Sequence, residues 1–311
     1  MTAYAGRAMP RRALLVCALM AATGVPAAVV AATRSSAPKL PGAPRCTVFP
    51  ASNPWNRRVD RLAVRSDSAR LIASIGAGIG LHPDFGTGRI GIPYAVVSRK
   101  TPRARVSFDY ADESDRGPYP IPAHPPIEAG SDRHILLVDR DSCRLYELFA
   151  AQRGPGGGWH AGSGAIWSLR SNRVRPAGWT SADAAGLPIL PGLARYSEVH
   201  AGAIRHALRF TVPRTRRAYI YPARHYASSS TDPALPPMGL RLRLRADFPV
   251  GGFPPQARVV LRALKRYGMI LADNGSAIYI TGAPSPHWDN DDLHTLGRVH
   301  GSDFQVVQTG R

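Results

Sequence analysis

Past residue 32 the sequence has no apolar stretch long enough to cross a bilayer as a helix, so no stable membrane span is expected there. Lysine is almost missing: Lys39, Lys100 and Lys265 are the only ones among 40 basic residues. Acids number only 21. No histidine pair has the H-E-x-x-H spacing of a zinc protease, so no metal site is expected. No glycine-rich loop follows a strand, which removes the support for nucleotide binding, and no cofactor is expected. The hydrolase elbow G-x-S-x-G also fails, because the positions two away from Ser163 hold Ala161 and Ala165. There are no usable internal repeats.

What is present begins with a leader. "GRAMPRRALLVCALMAATGVPAAVVAAT" joins basic residues (Arg7, Arg11, Arg12) to an apolar stretch and then to small residues near Ala27–Ala32, the pattern of a signal peptide over residues 1–32. Pro26 and the alanines make it a weak permanent anchor, and the residues before Cys17 do not form a lipobox. The expected location is extracellular, or periplasmic in a host with an outer membrane. Cleavage removes Cys17 and leaves Cys46 and Cys143, an even pair in an exported chain, for which a disulfide is expected. "RSSAPKLPGAP" reads as a flexible linker over 33–45, and residues 46–311 as one globular domain. The formal charge of +19 falls to +16 without the three leader arginines. Outside the cytoplasm, such a balance favours an anionic polysaccharide or cell-wall polymer as partner. Nucleic acid is the weaker choice, since no recognition motif accompanies the charge.

Strand-like runs outnumber helices and come in adjacent pairs. "DRHILLVDRDSCRLYELFAA" (132–151) predicts a hairpin, and "MILADNGSAIYITG" (269–282) a second one turning at Asn274-Gly275. Helices are expected over 66–76, capped by Ser66 with Ala69, Ile72 and Ala73 inward, and over 253–268 with Ala257, Val260, Leu261 and Leu264 inward. The fold class that follows is mainly β with a few helices (α+β), an antiparallel β-sandwich of which a jelly roll is one form.

"MGLRLRLRADF" (238–248) alternates Leu240, Leu242 and Leu244 with Arg241, Arg243 and Arg245. The leucines are expected inside. The arginines are expected to face either solvent and an anionic ligand or acids of this same chain. Arg224, His225, Trp167 and Trp179 complete the expected substrate-binding set, the indoles for stacking on sugar rings. Asp183, in the turn-rich "GWTSADAAGLPILPGL", reads equally as a buried acid or as a helix N-cap. Glu198 and His206 are its expected catalytic companions. For Asp273 in "LADNG" a turn role is the stronger reading. The acids Asp109, Asp112, Glu113 and Asp115 either hold a hard cation or pair with neighbouring arginines, the second being favoured.

The segments "LHPDFG", "GPYPIP", "AGSGAIWSLRSN", "GWTSADAAGLPILPGL", "IRHALRF", "PARH", "PMGLRLRL" and "YGMILADNGS" together resemble a family of secreted bacterial proteins of unassigned function. The resemblance spans Phe49 to Val307 and implies a single unit, with no activity or site residue carried over. Two functions are expected from the residues: a polysaccharide hydrolase or lyase working by acid–base catalysis, or a non-catalytic glycan-binding protein.

Overall fold

The computed structural model describes residues 1–2, 37–154 and 156–310; all but the first two belong to one unit, Ser35–Arg311. The expected signal peptide lies outside the described residues apart from Met1 and Thr2. The described part of the expected linker is a hairpin: β1 (Lys39–Leu40) pairs antiparallel with β2 (Ala43–Thr47). Leu40 and Ala43 are buried, and Cys46 is bonded to Cys143 with Cα atoms 5.4 Å apart. Two apolar anchors and a covalent tie outweigh the proline-rich composition.

The chain continues through α1 (Ser68–Ile75), β3 (His82–Asp84), β4 (Tyr94–Val97) and β5 (Val106–Phe108). Helix α1 turns Leu71, Ile72 and Ile75 inward, leaving Ala69 and Ala73 outside. Its N-cap is Asp67, without a side-chain capping bond, so the Ser66 cap is corrected. Next come β6 (Ile135–Asp139) and β7 (Arg144–Phe149), the expected hairpin, with Val138 opposite Leu145. β8 (Gln152–Arg153), β9 (Trp159–Ala161) and β10 (Ser163–Ser168) follow. One sheet has the order β10-β7-β6-β4, and a small second sheet has the order β5-β9-β8.

The remaining elements are α2 (Tyr196–His200), β11 (Leu208–Val212), β12 (Arg241–Leu244), α3 (Pro255–Arg266), β13 (Met269–Asn274), β14 (Tyr279–Thr281), α4 (Asn290–His294) and β15 (Phe304–Val306). Helix α3 buries Ala257, Val260, Leu261 and Leu264 as expected, with Pro254 at its start. The strands form a six-stranded sheet in the order β15-β12-β13-β11-β14-β3. The described residues are thus mainly β with four α-helices, an α+β, sandwich-like arrangement of sheets.

The expected hairpin at 269–282 is not formed. β13 and β14 are consecutive in sequence, yet β11 lies between them, parallel to β13 and antiparallel to β14. The connecting turn bridges the end of β11: Gly275 N donates to Val212 O, and Thr211 Oγ1 donates to Ser276 O. Asn-Gly encodes a tight reversal, but β11 supplies backbone partners to both flanking strands, and that pairing prevails. The β3–β14 and β4–β6 pairs are also parallel. Apolar side chains of the six-stranded sheet, α1, α3 and α4 form the largest core. A second core surrounds the disulfide and a third lies beneath β5 and β9.

Candidate active site

Insertion of β11 puts Arg209 and Asp273 on neighbouring strands, and a loop completes the group. In β11, Leu208, Phe210 and Val212 alternate with Arg209 and Thr211, and all five residues are buried. A buried guanidinium needs partners for its N–H groups. Arg209 Nε and Nη2 donate to Asp183 Oδ2 and Oδ1 at 2.8 and 2.9 Å, Nη1 to Thr281 Oγ1 at 2.8 Å, and Nη2 to Asp273 Oδ2 at 3.2 Å.

The loop carrying Asp183 is pinned on every side. Ala185 N donates to Ala272 O of β13, and both Arg224 N and His225 N donate to Ala185 O. Ser163 Oγ of β10 donates to Ser181 O at 2.6 Å, while Asp183 N donates to Ser181 Oγ at 3.0 Å. Gly186 has φ +68°, and a Cβ there would lie 2.5 Å from Trp179 O, so this turn requires glycine. No helix follows Asp183, which corrects the N-cap reading.

Asp183, Asp273, His225, Ser163, Ser181 and Glu113 are among the residues lining one cavity of about 340 Å³. Asp183 is buried; the Asp273 side chain keeps 24 % exposure and is the accessible member of the pair. Burial and the negative charge of Asp183 push the Asp273 pKa up to about 7, against the pull of Arg209. The charge of Asp183, with its two hydrogen bonds, raises the pKa of Arg209 despite burial. His225 Nδ1 lies 2.8 Å from Ala184 O, so in the neutral ring Nδ1 carries the proton and Nε2 the lone pair.

Behind the loop, His134 Nδ1 meets Glu128 Oε2, and Nε2 meets Ala182 O at 2.9 Å. Burial opposes charge on both partners, yet their mutual bond raises the His134 pKa and lowers that of Glu128. Glu147 is also buried, and its pKa is pushed up to about 7 by burial, against donation from Leu190 N and Ile189 N. Among the described residues no three His, Cys, Asp or Glu side chains gather as a metal site.

Other expected site residues fall elsewhere. Glu198 and His206 do meet, 3.0 Å apart, but within a separate buried group with Arg195, whose Nη2 lies 2.7 Å from Glu198 Oε1. Arg195 and His206 lower the Glu198 pKa against burial. Glu198 lines a different cavity, beside Pro38–Leu40, and no hydrogen bond joins this group to Asp183. The acid that accompanies Asp183 is Asp273.

The expected role of Arg241, Arg243 and Arg245 is also corrected. Leu240, Leu242 and Leu244 are buried as expected, but so are Arg241 and Arg243, at 3 and 8 % exposure. Arg241 donates to the carbonyls of Tyr267, Pro54 and Arg57. Arg243 donates to Val59 O, Leu62 O and Gln305 Oε1. Both pKa values are drawn downward by burial. Arg245 alone is exposed, bonded to Asp247. Both faces of β12 are covered, one by apolar side chains and the other by the 54–62 segment, whose carbonyls take the place of both expected partners, an anionic ligand and acids of this same chain.

Trp167 is buried, with Nε1 on Glu147 Oε2 at 3.3 Å, and is closed to a sugar ring. Trp179 is half-buried, with the Arg175 guanidinium 5.3 Å from its ring centre. Arg224 is half-buried and donates to Arg175 O at 3.0 Å. Of the acidic segment, Asp115 pairs with Arg175 at 2.7 Å and Glu113 accepts from Thr180 N at 2.8 Å, so these two hold the Asp183 loop.

Sequence reasoning missed Arg209 and undervalued Asp273. Each was visible as a lone charge at the middle or end of an apolar strand, of opposite sign to the other, and such isolated charges need a partner once buried. No family model, no curated protein and no solved structure matches the chain.

Proposed function

We propose that this is an exported enzyme that cleaves an extracellular polysaccharide by acid–base catalysis, with Asp273 as the acid. The observation supporting this reading is the Asp183–Arg209–Asp273 group, whose two acids line the cavity. Two neighbouring carboxyl groups share one arginine, so one is held ionised and the other keeps its proton near neutrality. That gives Asp273 a proton to deliver to a glycosidic oxygen. His225 Nε2, on the same cavity, is placed to take one from water in hydrolysis, or from the sugar C5 of a uronate in elimination. Serine, threonine and tyrosine groups of the cavity suit sugar hydroxyls. The disulfide favours an oxidising compartment.

The net charge supports an anionic substrate; the arginines of β12 no longer do. The second reading, a glycan-binding protein without catalysis, is favoured by Asp183 being held in a structural bond. Incubation of the protein with neutral and acidic polysaccharides, scoring new reducing ends and unsaturated-uronate absorbance, separates the two. New ends with wild type and none with Asp273→Asn support the enzyme; retention without product on every polymer overturns it.

A further inference from the structure

The stretch 213–230 contains Arg214, Arg216, Arg217 and Arg224, and no acid occurs between Glu198 and Asp232. It is irregular in conformation yet tied to the sheet: Thr215 Oγ1 donates to Asn274 Oδ1 at 2.8 Å, at the end of β13. Within it three rings lie nearly parallel. His225 and Tyr226 have centroids 5.5 Å apart with planes at 2°, and Tyr226 and Tyr219 are 6.4 Å apart at 18°. These centroid separations exceed face-to-face contact, so the rings are slid past one another and part of each face stays uncovered. All three are half-buried. The exposed Arg217 lies over Tyr226, 5.6 Å from the ring centre, and its Nε donates to the Tyr226 hydroxyl at 3.2 Å.

The first ring of this row, His225, is also a wall of the cavity that holds Asp273. We infer that the row His225–Tyr226–Tyr219, with Arg217, is an outer subsite that holds an anionic polysaccharide as the chain leaves the catalytic cavity. This rests on the reading of the cavity as a polysaccharide site and extends it: the substrate is a long uronate-type polymer. Flat aromatic faces suit the apolar faces of sugar rings, and a guanidinium held over the row is placed to meet their carboxylates. The exposed Arg217 lies beyond the acids of the cavity, in a stretch whose own charges are all positive, and this favours attraction to a polyanion at the outer end of the row. Arg217 supplies here the exposed guanidinium that the buried Arg241 and Arg243 do not.

The test uses the full secreted chain and two probes, polygalacturonate and its trimer. Tyr226→Ala and Arg217→Gln are each expected to weaken polymer retention about tenfold at low salt, leaving trimer binding unchanged. Tyr226→Phe, which keeps the ring, retains most of the binding, and matching thermal melts show that the variants are folded. Unchanged polymer retention in folded Tyr226→Ala and Arg217→Gln overturns the subsite, as does a wild-type protein that does not retain polygalacturonate. Asp273→Asn separates the two ideas: it binds polymer like wild type and forms no product. Polymer retention that depends on Tyr226 with no product from wild type supports the subsite and overturns the catalytic reading alone.

Discussion

Asp183 and Arg209 meet through two parallel hydrogen bonds of 2.8 and 2.9 Å, with both side chains buried. The pair fastens the 180–187 loop to the six-stranded sheet, and burial together with the negative charge of Asp183 keeps a proton on Asp273. Asp183 is therefore an anchor and a tuner, and Asp273 is the more accessible of the two acids on the cavity wall.

Removing Asp183 breaks both of its bonds to the buried guanidinium and leaves it Thr281 and the more distant Asp273, which gives up its proton more readily once the neighbouring charge is gone. Asp183→Ala is expected to lower unfolding stability by about 3–5 kcal/mol, the usual loss when one partner of a buried pair is deleted. Urea unfolding of both proteins at one pH measures it.

Asp273→Asn keeps the shape of the side chain and removes its proton chemistry. Product formation should fall by roughly 10²–10⁴, the usual worth of a general acid. In the wild type, activity should decline as pH rises through about 7, where Asp273 loses its proton. Asp183→Asn, by deleting the neighbouring charge, should move that decline to lower pH if the variant folds.

The same proton affects stability. Folded Asp273 and Glu147 hold protons up to about pH 7, whereas unfolded carboxyls release theirs near pH 4. Between these values the folded state binds more protons, so the contribution of these groups to stability falls as pH rises from about 4 to about 7 and is flat above. Urea midpoints measured across that window should slope less steeply for Asp273→Asn than for wild type.

Arg241→Met should be damaging to the fold and neutral to polymer retention. Without the guanidinium, the carbonyls of Pro54, Arg57 and Tyr267 lose a donor, costing about 3 kcal/mol in all. A lower melting temperature with unchanged low-salt retention is the expected pair of results.

Reducing Cys46–Cys143 opens a loop of 97 residues and should destabilise the protein by about 4–5 kcal/mol in the chain-entropy account. Unfolding with and without reductant gives the difference.

Local pattern was enough for several elements. Alternation in 238–244 put Leu240, Leu242 and Leu244 inside, and the 3.6-residue stripe of 253–268 gave α3 and its buried face. The hairpin at 135–149 and the bridge between Cys46 and Cys143 were also legible. The ring row was not: nothing in "YIYPARHYA" says that Tyr219 and Tyr226 lie parallel, since the intervening residues set that spacing. Nor did composition reveal that residues 37–45 are held, because the holding residues, Leu40 and Ala43, are short apolar interruptions in a proline-rich stretch.

Period and propensity act between neighbours, so the sequence alone determined which side chains share a face. It could not determine what each face meets. β11 entering between β13 and β14 joined Arg209 to Asp273, and the 54–62 segment covered the arginines of β12. Both events bring together residues more than sixty positions apart. Buried charge forces such partners to exist, but only the tertiary fold chose which acids and carbonyls they would be.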